Sequence, residues 1–169
     1  MDAAVCAAIP GWFPPPHGLT AIRAVFGDIM VVGDRIIAPP KWEAANMTKA
    51  TLPLCPKPLY VNRHIEPMLR EALRMCEVLG GYAVKSIGCF APRQKRSNNT
   101  LSLHSWGIAA DINAVDNPPL RIRTPDDLKR RRYTIPAAWI AAFESVGFTW
   151  GGNFKSYFDP MHFQYASGF

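Results

Sequence analysis

Sixteen prolines in a chain of 169 residues restrict this sequence more than any other feature. Each proline lacks a backbone donor and fixes one dihedral, so helix interiors and central strands are largely closed to it. Long regular helices should be few, and much of the chain should run as turns and short segments. The length suits one domain with a real hydrophobic core. Hydrophobic residues at 49% against charged residues at 19% are the balance of a globular protein.

The opening MDAAVCAAIPGWFPPP has no basic leader region and breaks at Pro10 before an adequate apolar stretch, so no secretory signal is expected. No run approaches the roughly 18 to 20 apolar residues that span a bilayer. The expectation is a product made in the cytoplasm without a transmembrane segment. A target outside the membrane would then need release by another agent, or excision of the chain from a larger one.

Residues 1 to 17 read as an extended arm. Leu19, Ile22, Val25 and Phe26 keep helical spacing before Gly27, which predicts a short helix. VVGDRIIAPP and the proline-rich residues after it read as short strands and loops on the surface of the main fold. Residues 1–60 are thus expected to be an arm and irregular region packed on a core of residues 61–169, a single domain overall.

From Asn62 to Gly80, apolar residues at Ile65, Met68, Leu69, Ala72, Leu73, Cys76 and Leu79 recur at three and four, the stripe of an amphipathic helix. A further helix is predicted from Pro136 to Val146, with Gly147 as its stop. Strands are predicted at 82–90, 108–113 and 161–165. Alternation places Ala109, Asp111 and Asn113 on one face of the second, and His162 and Gln164 opposite Met161, Phe163 and Tyr165 in the third. With the apolar faces turned to the helices, Asp111 and His162 would share the outer face.

Cys6, Cys55, Cys76 and Cys89 are widely spaced without a CxxC pair, so free thiols are expected. The formal charge of +6 favours polyanions: nucleic acid, anionic lipid or a bacterial wall. The densest basic run, Lys129 to Arg132, is equally a solvated loop. A nucleic-acid binder would use that run with Arg93, Lys95 and Arg96, but no groove-reading element accompanies them, so nucleic acid is not an expected partner.

The stretch SLHSWGIAADIN, residues 102 to 113, sets Asp111 among Ile108, Ala109, Ala110 and Ile112. An unpaired buried carboxylate costs several kcal/mol or gives up its charge. Asp111 therefore lies on an exposed face, pairs with an arginine, or binds a metal ion. A catalytic zinc site takes about three protein ligands and leaves a position for water; His104, Asp111 and His162 supply that set. His17, in the proline-rich arm, and His64, on the predicted helix, have no comparable surroundings. Asp159, three residues before His162, is placed to take a proton from a metal-bound water without occupying the metal, and Asp159-Pro160 also reads as a turn opening a strand.

Ser102 to Asp111 resembles the S-x-H-x-x-G-x-A-x-D motif of the zinc D-alanyl-D-alanine carboxypeptidase family, which includes the L-alanyl-D-glutamate endopeptidases of phage endolysins. Gly147-Phe148-Thr149-Trp150-Gly151-Gly152, followed by Asp159-Pro160-Met161-His162-Phe163, is similar to its second block, G-F-x-W-G-G and then D/E-x-x-H-F. The likeness covers about residues 80 to 166. It implies His104, Asp111 and His162 as Zn²⁺ ligands and Asp159 as general base. Gly88 to Arg93 is similar to a segment whose arginine steadies the scissile carbonyl or a substrate carboxylate, which makes Arg93 the candidate and Arg96 its rival. Ser102 is a hydrogen-bond donor for the site or a shaper of the turn; Trp106 and Trp150 are walls of the cleft or parts of the core.

The implied fold is α+β, a small antiparallel sheet flanked by helices, of the DD-peptidase/hedgehog-like kind, with the site on the open sheet face. The implied activity is zinc-dependent hydrolysis of peptidoglycan stem peptides by a phage-type lytic enzyme, as endopeptidase or carboxypeptidase. Expected partners are stem peptides, anionic wall polymers and a holin for release, and a monomer is expected. The other reading is a non-catalytic phage structural module that grips the wall.

Overall fold

The computed structural model describes residues 1–32, 35–95 and 100–168. Its elements run α1 (Ala3–Ala8), α2 (Gly18–Phe26), β1 (Met30–Val32), β2 (Arg35–Ile37), α3 (Pro40–Asn46), β3 (Met47–Ala50), β4 (Leu59–Asn62) and α4 (Glu66–Leu79). They continue with β5 (Ile87–Gly88), β6 (Ala109–Ile112), β7 (Leu120–Arg121), α5 (Ala137–Ser145), β8 (Thr149–Trp150), β9 (Tyr157–Phe158) and β10 (His162–Gln164). The architecture is α+β with small antiparallel sheets.

The sheet that matters for the site has the order β5-β6-β10-β8. Its register sets His162 directly opposite Asp111 and Phe163 opposite Ala110. Facing residues share a side of a sheet, so the imidazole and the carboxylate project together. Phe163 turns to the other side and stacks on Phe143 of α5, ring centroids 4.2 Å apart. Behind that face lie α5 and α4, the latter burying Met68, Leu69, Ala72, Leu73 and Cys76 completely. The Trp139 indole joins the end of α4 to α5 by donating to the Gly80 carbonyl.

The helical expectations hold with trimmed ends: α2 and α4 fall where periodicity placed them, and α5 falls between Pro136 and Gly147. Residues 62–65 are not helical; Asn62 closes β4, and Ile65 caps α4. The strand expected at 82–90 shrinks to two residues, Ile87 and Gly88. The arm is not extended throughout, because the Asp2 carboxylate accepts from the N–H groups of Ala4 and Val5 and starts α1. The division expected at residue 60 falls inside β4, which pairs with β3 along its whole length. All four cysteines are free thiols. Among the described residues, no helix is long and apolar enough to cross a membrane.

Candidate metal centre

Two turns build the site. Ser102 caps a 3₁₀ turn, Leu103–Trp106, by accepting from the His104 N–H. Gly107 ends the turn in the left-handed region at φ 64°, and a Cβ there would lie 2.6 Å from Met47 Cε and 3.1 Å from Asn62 N. Only glycine meets both conditions. The chain then enters β6, which carries Asp111 to the Nε2 edge of the His104 ring.

On the other side the Gly151 carbonyl accepts the Asp159 N–H, and the Asp159 carbonyl accepts the His162 N–H. A Cβ on Gly151 would stand 2.5 Å from the Asp159 carbonyl oxygen, so the paired glycines after Trp150 let this turn close. Asp159 and His162 are thereby delivered to the rim of β10.

Three atoms converge. His104 Nε2 is 3.2 Å from His162 Nδ1 and 3.1 Å from Asp111 Oδ1, and His162 Nδ1 is 2.9 Å from the same oxygen. These edges approach the ~3.3 Å between ligand atoms of a tetrahedral ion with bonds of ~2.0–2.1 Å. The other nitrogen of His104, Nδ1, donates to the Cys89 carbonyl at 2.6 Å, so the neutral ring aims its Nε2 lone pair at the cluster and the protonated ring donates from Nε2 to Asp111. Two imidazoles and a carboxylate that face one another in this way need a cation or a proton among them. The set suits a divalent ion such as zinc with one position open.

The electrostatics of the two aspartates diverge. Burial works against ionised Asp111, but hydrogen bonds and charge from His104 and His162 outweigh it and hold the carboxyl well below the usual range. Burial also works against charge on His162, yet Asp111 leaves its imidazole raised. Asp159 goes the opposite way to Asp111. Burial, aided by the Asp111 charge, pushes it up against the pull of His162, His104 and Arg93. Its Oδ1 is buried without a hydrogen-bond partner among the described residues.

The cluster opens into a cleft of about 980 Å³, whose walls include Arg93, Lys95, Ser102, Asp111, Asp159 and His162. The half-exposed Arg93 guanidinium stands 3.9 Å from Asp111 Oδ2. Its backbone is pinned by the buried Ser105, whose hydroxyl accepts from Arg93 N–H and donates to Arg93 O, each at 3.0 Å. Arg96 lies outside the described residues. Burial lowers the Lys95 ammonium to about 8.

Among the described residues that line the cleft neither tryptophan appears; of the two places the sequence left open, wall or core, both take the core. Trp106 is wholly buried and donates from its indole to the Gly27 carbonyl at 2.8 Å. Trp150 donates to the Pro160 carbonyl at 2.8 Å and packs edge-on to Tyr133 and Phe158, beneath the turn that carries Asp159. A buried indole needs an acceptor for its N–H, and both find one inside the fold. The aromatic wall is supplied instead by Phe154 and Tyr157.

His17 meets Ser167 and His64 packs near the Phe26 ring, so neither joins the cluster. Ser105, the Cys89 carbonyl and Gln164, which contacts His162 Nε2, escaped the sequence reading. Of these only Gln164 carried a signal, its place on the His162 face of the predicted strand. In the basic run, Lys129 and Arg130 pair with Asp126 and Asp127, and Arg131 lies over the Phe158 ring.

No curated protein and no solved structure matches the chain. A family match begins at Lys95, two residues past Arg93, and takes in both turns and all three converging side chains. Over residues 95–165 the chain is similar to the peptidase family described as D-alanyl-D-alanine carboxypeptidase.

Proposed function

We propose that this chain is a zinc-dependent peptidase that hydrolyses peptide bonds in peptidoglycan stem peptides. What carries the reading is the buried, unpartnered Asp159 Oδ1 on the same cleft as the His104–Asp111–His162 cluster. A metal cluster alone would suit a structural site, but an idle carboxylate beside it suits proton transfer. The family similarity supports the substrate class. The excess of positive charge, +6, would keep the protein near anionic wall polymers.

His104, Asp111 and His162 would hold the ion. When bound, zinc supplies a Lewis acid for the scissile carbonyl and lowers the pKa of a water that serves as nucleophile. Asp159 would take the proton from the attacking water as the water oxygen bonds to the carbonyl carbon, and return it to the amine nitrogen as the C–N bond breaks. Arg93 faces the negative charge that develops on the carbonyl oxygen. Ser105 keeps Arg93 in place by holding its backbone at both ends.

Asp159→Ala should keep one zinc per chain and lose turnover of muropeptides by about 10²–10⁴-fold. Mass spectrometry of the digest separates the two forms of the activity. Loss of terminal D-alanine marks a carboxypeptidase; whole stem peptides freed at L-alanine mark an endopeptidase and the phage-type lytic role. A parent protein that takes up no zinc, or binds walls without cleaving and is unaffected by Asp159→Ala, would overturn the proposal.

A further inference from the structure

Residues beyond the family match reach the candidate metal centre through Gln164. This side chain is buried on the His162 face of β10, with its Oε1 3.1 Å from His162 Nε2 and its Nε2 donating to the Ala166 carbonyl at 3.1 Å. The second contact decides the first. A carbonyl only accepts, so the amide nitrogen must face Ala166 and the amide oxygen must face the imidazole. The amide oxygen thus accepts a hydrogen on His162 Nε2 and favours the tautomer whose Nδ1 lone pair faces the cluster, against Asp111 Oδ1, which at 2.9 Å draws a hydrogen onto Nδ1.

The Ala166 carbonyl is itself held. It also accepts the Thr149 hydroxyl at 3.0 Å, and the next residue is clasped by the amino-terminal arm. Ser167 N–H donates to the Pro16 carbonyl at 3.0 Å, Gly18 N–H donates to the Ser167 carbonyl at 2.8 Å, and His17 Nδ1 lies 3.1 Å from Ser167 Oγ. Gly168 sits at φ 64°, where a Cβ would fall 2.4 Å from His17 Cε1, so the arm seats against the tail only with glycine there.

We propose that Gln164, steadied by the clasp of residues 16–18 on residues 166–168, is a positioning residue that biases His162 toward its Nε2–H tautomer and so prepares Nδ1 for the ion. This rests on the metal reading of the cluster. It gives the amino-terminal arm a task at the site, although the arm touches none of the three ligands through the contacts described. Partners of a ligating histidine typically alter metal affinity 10- to 100-fold.

The test uses the full chain labelled with ¹⁵N-histidine. Long-range ¹H–¹⁵N correlations on the metal-free protein report how neutral His162 divides between its two tautomers. Zinc affinity is read by competition with a chromophoric chelator. Gln164→Met removes the acceptor at similar volume and should move the population toward the Nδ1–H tautomer, which Asp111 favours, with about 10- to 100-fold weaker zinc binding. Gln164→Glu restores an acceptor and should return the parent tautomer. Gly168→Val, which displaces His17 without touching the core, should shift the tautomer partway.

A Gln164→Met protein with the parent's amide dispersion, tautomer population and zinc affinity would overturn the inference. An unchanged tautomer in Gly168→Val alone would remove the arm from it and leave Gln164. Failure of the parent to bind zinc while Gln164→Met still shifts the tautomer would sink the metal reading and spare the tautomer bias.

Discussion

Asp111 and Asp159 lie on one cleft, yet their surroundings drive them in opposite directions: two imidazoles hold the first ionised, and burial pushes the second toward its neutral form. In the proposed mechanism, that divergence would make Asp111 the permanent charge and Asp159 the proton carrier. Asp159 should therefore weaken the fold at neutral pH. Its folded pKa lies above its ordinary value of 3.8, so the ionised form is disfavoured more in the native state than in the unfolded one. The penalty is absent below that ordinary value, where both states are protonated, and grows as pH rises through the raised value. Asp159→Asn keeps the shape and removes the charge. In metal-free protein, its melting temperature should exceed the parent's at pH 7, and the gap should close as pH falls toward 4. Equal gaps at both pH values would assign the effect to something other than the carboxylate charge.

Short elements set the limit on what the sequence disclosed. The stripe through Met68, Leu69, Leu73 and Cys76 announces α4 over several turns, and alternation in Ile108–Asn113 and Met161–Tyr165 puts Asp111 and His162 on one face, as their register does. Strand β5 has two residues, too few for any period to appear. The destination of Trp106 turns on Gly27, distant in the chain, and the partner of His104 Nδ1 is a backbone carbonyl, which has no residue type to read. The turn between His104 and Asp111 was legible because glycine marks it. Gly107→Ala tests that turn. The substitution forces a left-handed φ on a residue with a side chain, which costs roughly 1–2 kcal/mol, and drives a methyl into Met47 and the Asn62 backbone. We expect a thermal midpoint lowered by at least ~2–4 °C together with weaker zinc binding, since the same turn aims His104. A midpoint drop with unchanged zinc affinity would show that the ligand's position survives distortion of its turn.

The family similarity begins at Lys95, but the fold does not divide there or at residue 60. Asn62 of β4 donates its backbone N–H to the Gly107 carbonyl and its side-chain amide to the Trp106 carbonyl, at 3.1 and 3.0 Å. The Trp106 indole in turn depends on Gly27. At the far side, Trp12 donates to the Val146 carbonyl at 3.3 Å, Asp2 N–H donates to the Ser145 carbonyl at 2.8 Å, and Phe13 packs edge-on to Tyr165 with centroids 5.4 Å apart. Removing residues 1–60 would strip the Trp106 indole of its acceptor, take β3 from β4, and expose a face of the main core. Each buried polar group so orphaned costs about 1–3 kcal/mol, and a few of these equal the total stability of an ordinary domain, about 5–15 kcal/mol. The chain should therefore unfold in one transition seen alike by far-UV and near-UV circular dichroism. A fragment of residues 61–169 should lack a cooperative melt, bind a hydrophobic dye, and hold zinc far more weakly than the full chain. A fragment that melts cooperatively and keeps the parent's zinc affinity would make the amino-terminal third an accessory layer, and the metal turn would then owe its shape to residues 61–169 alone.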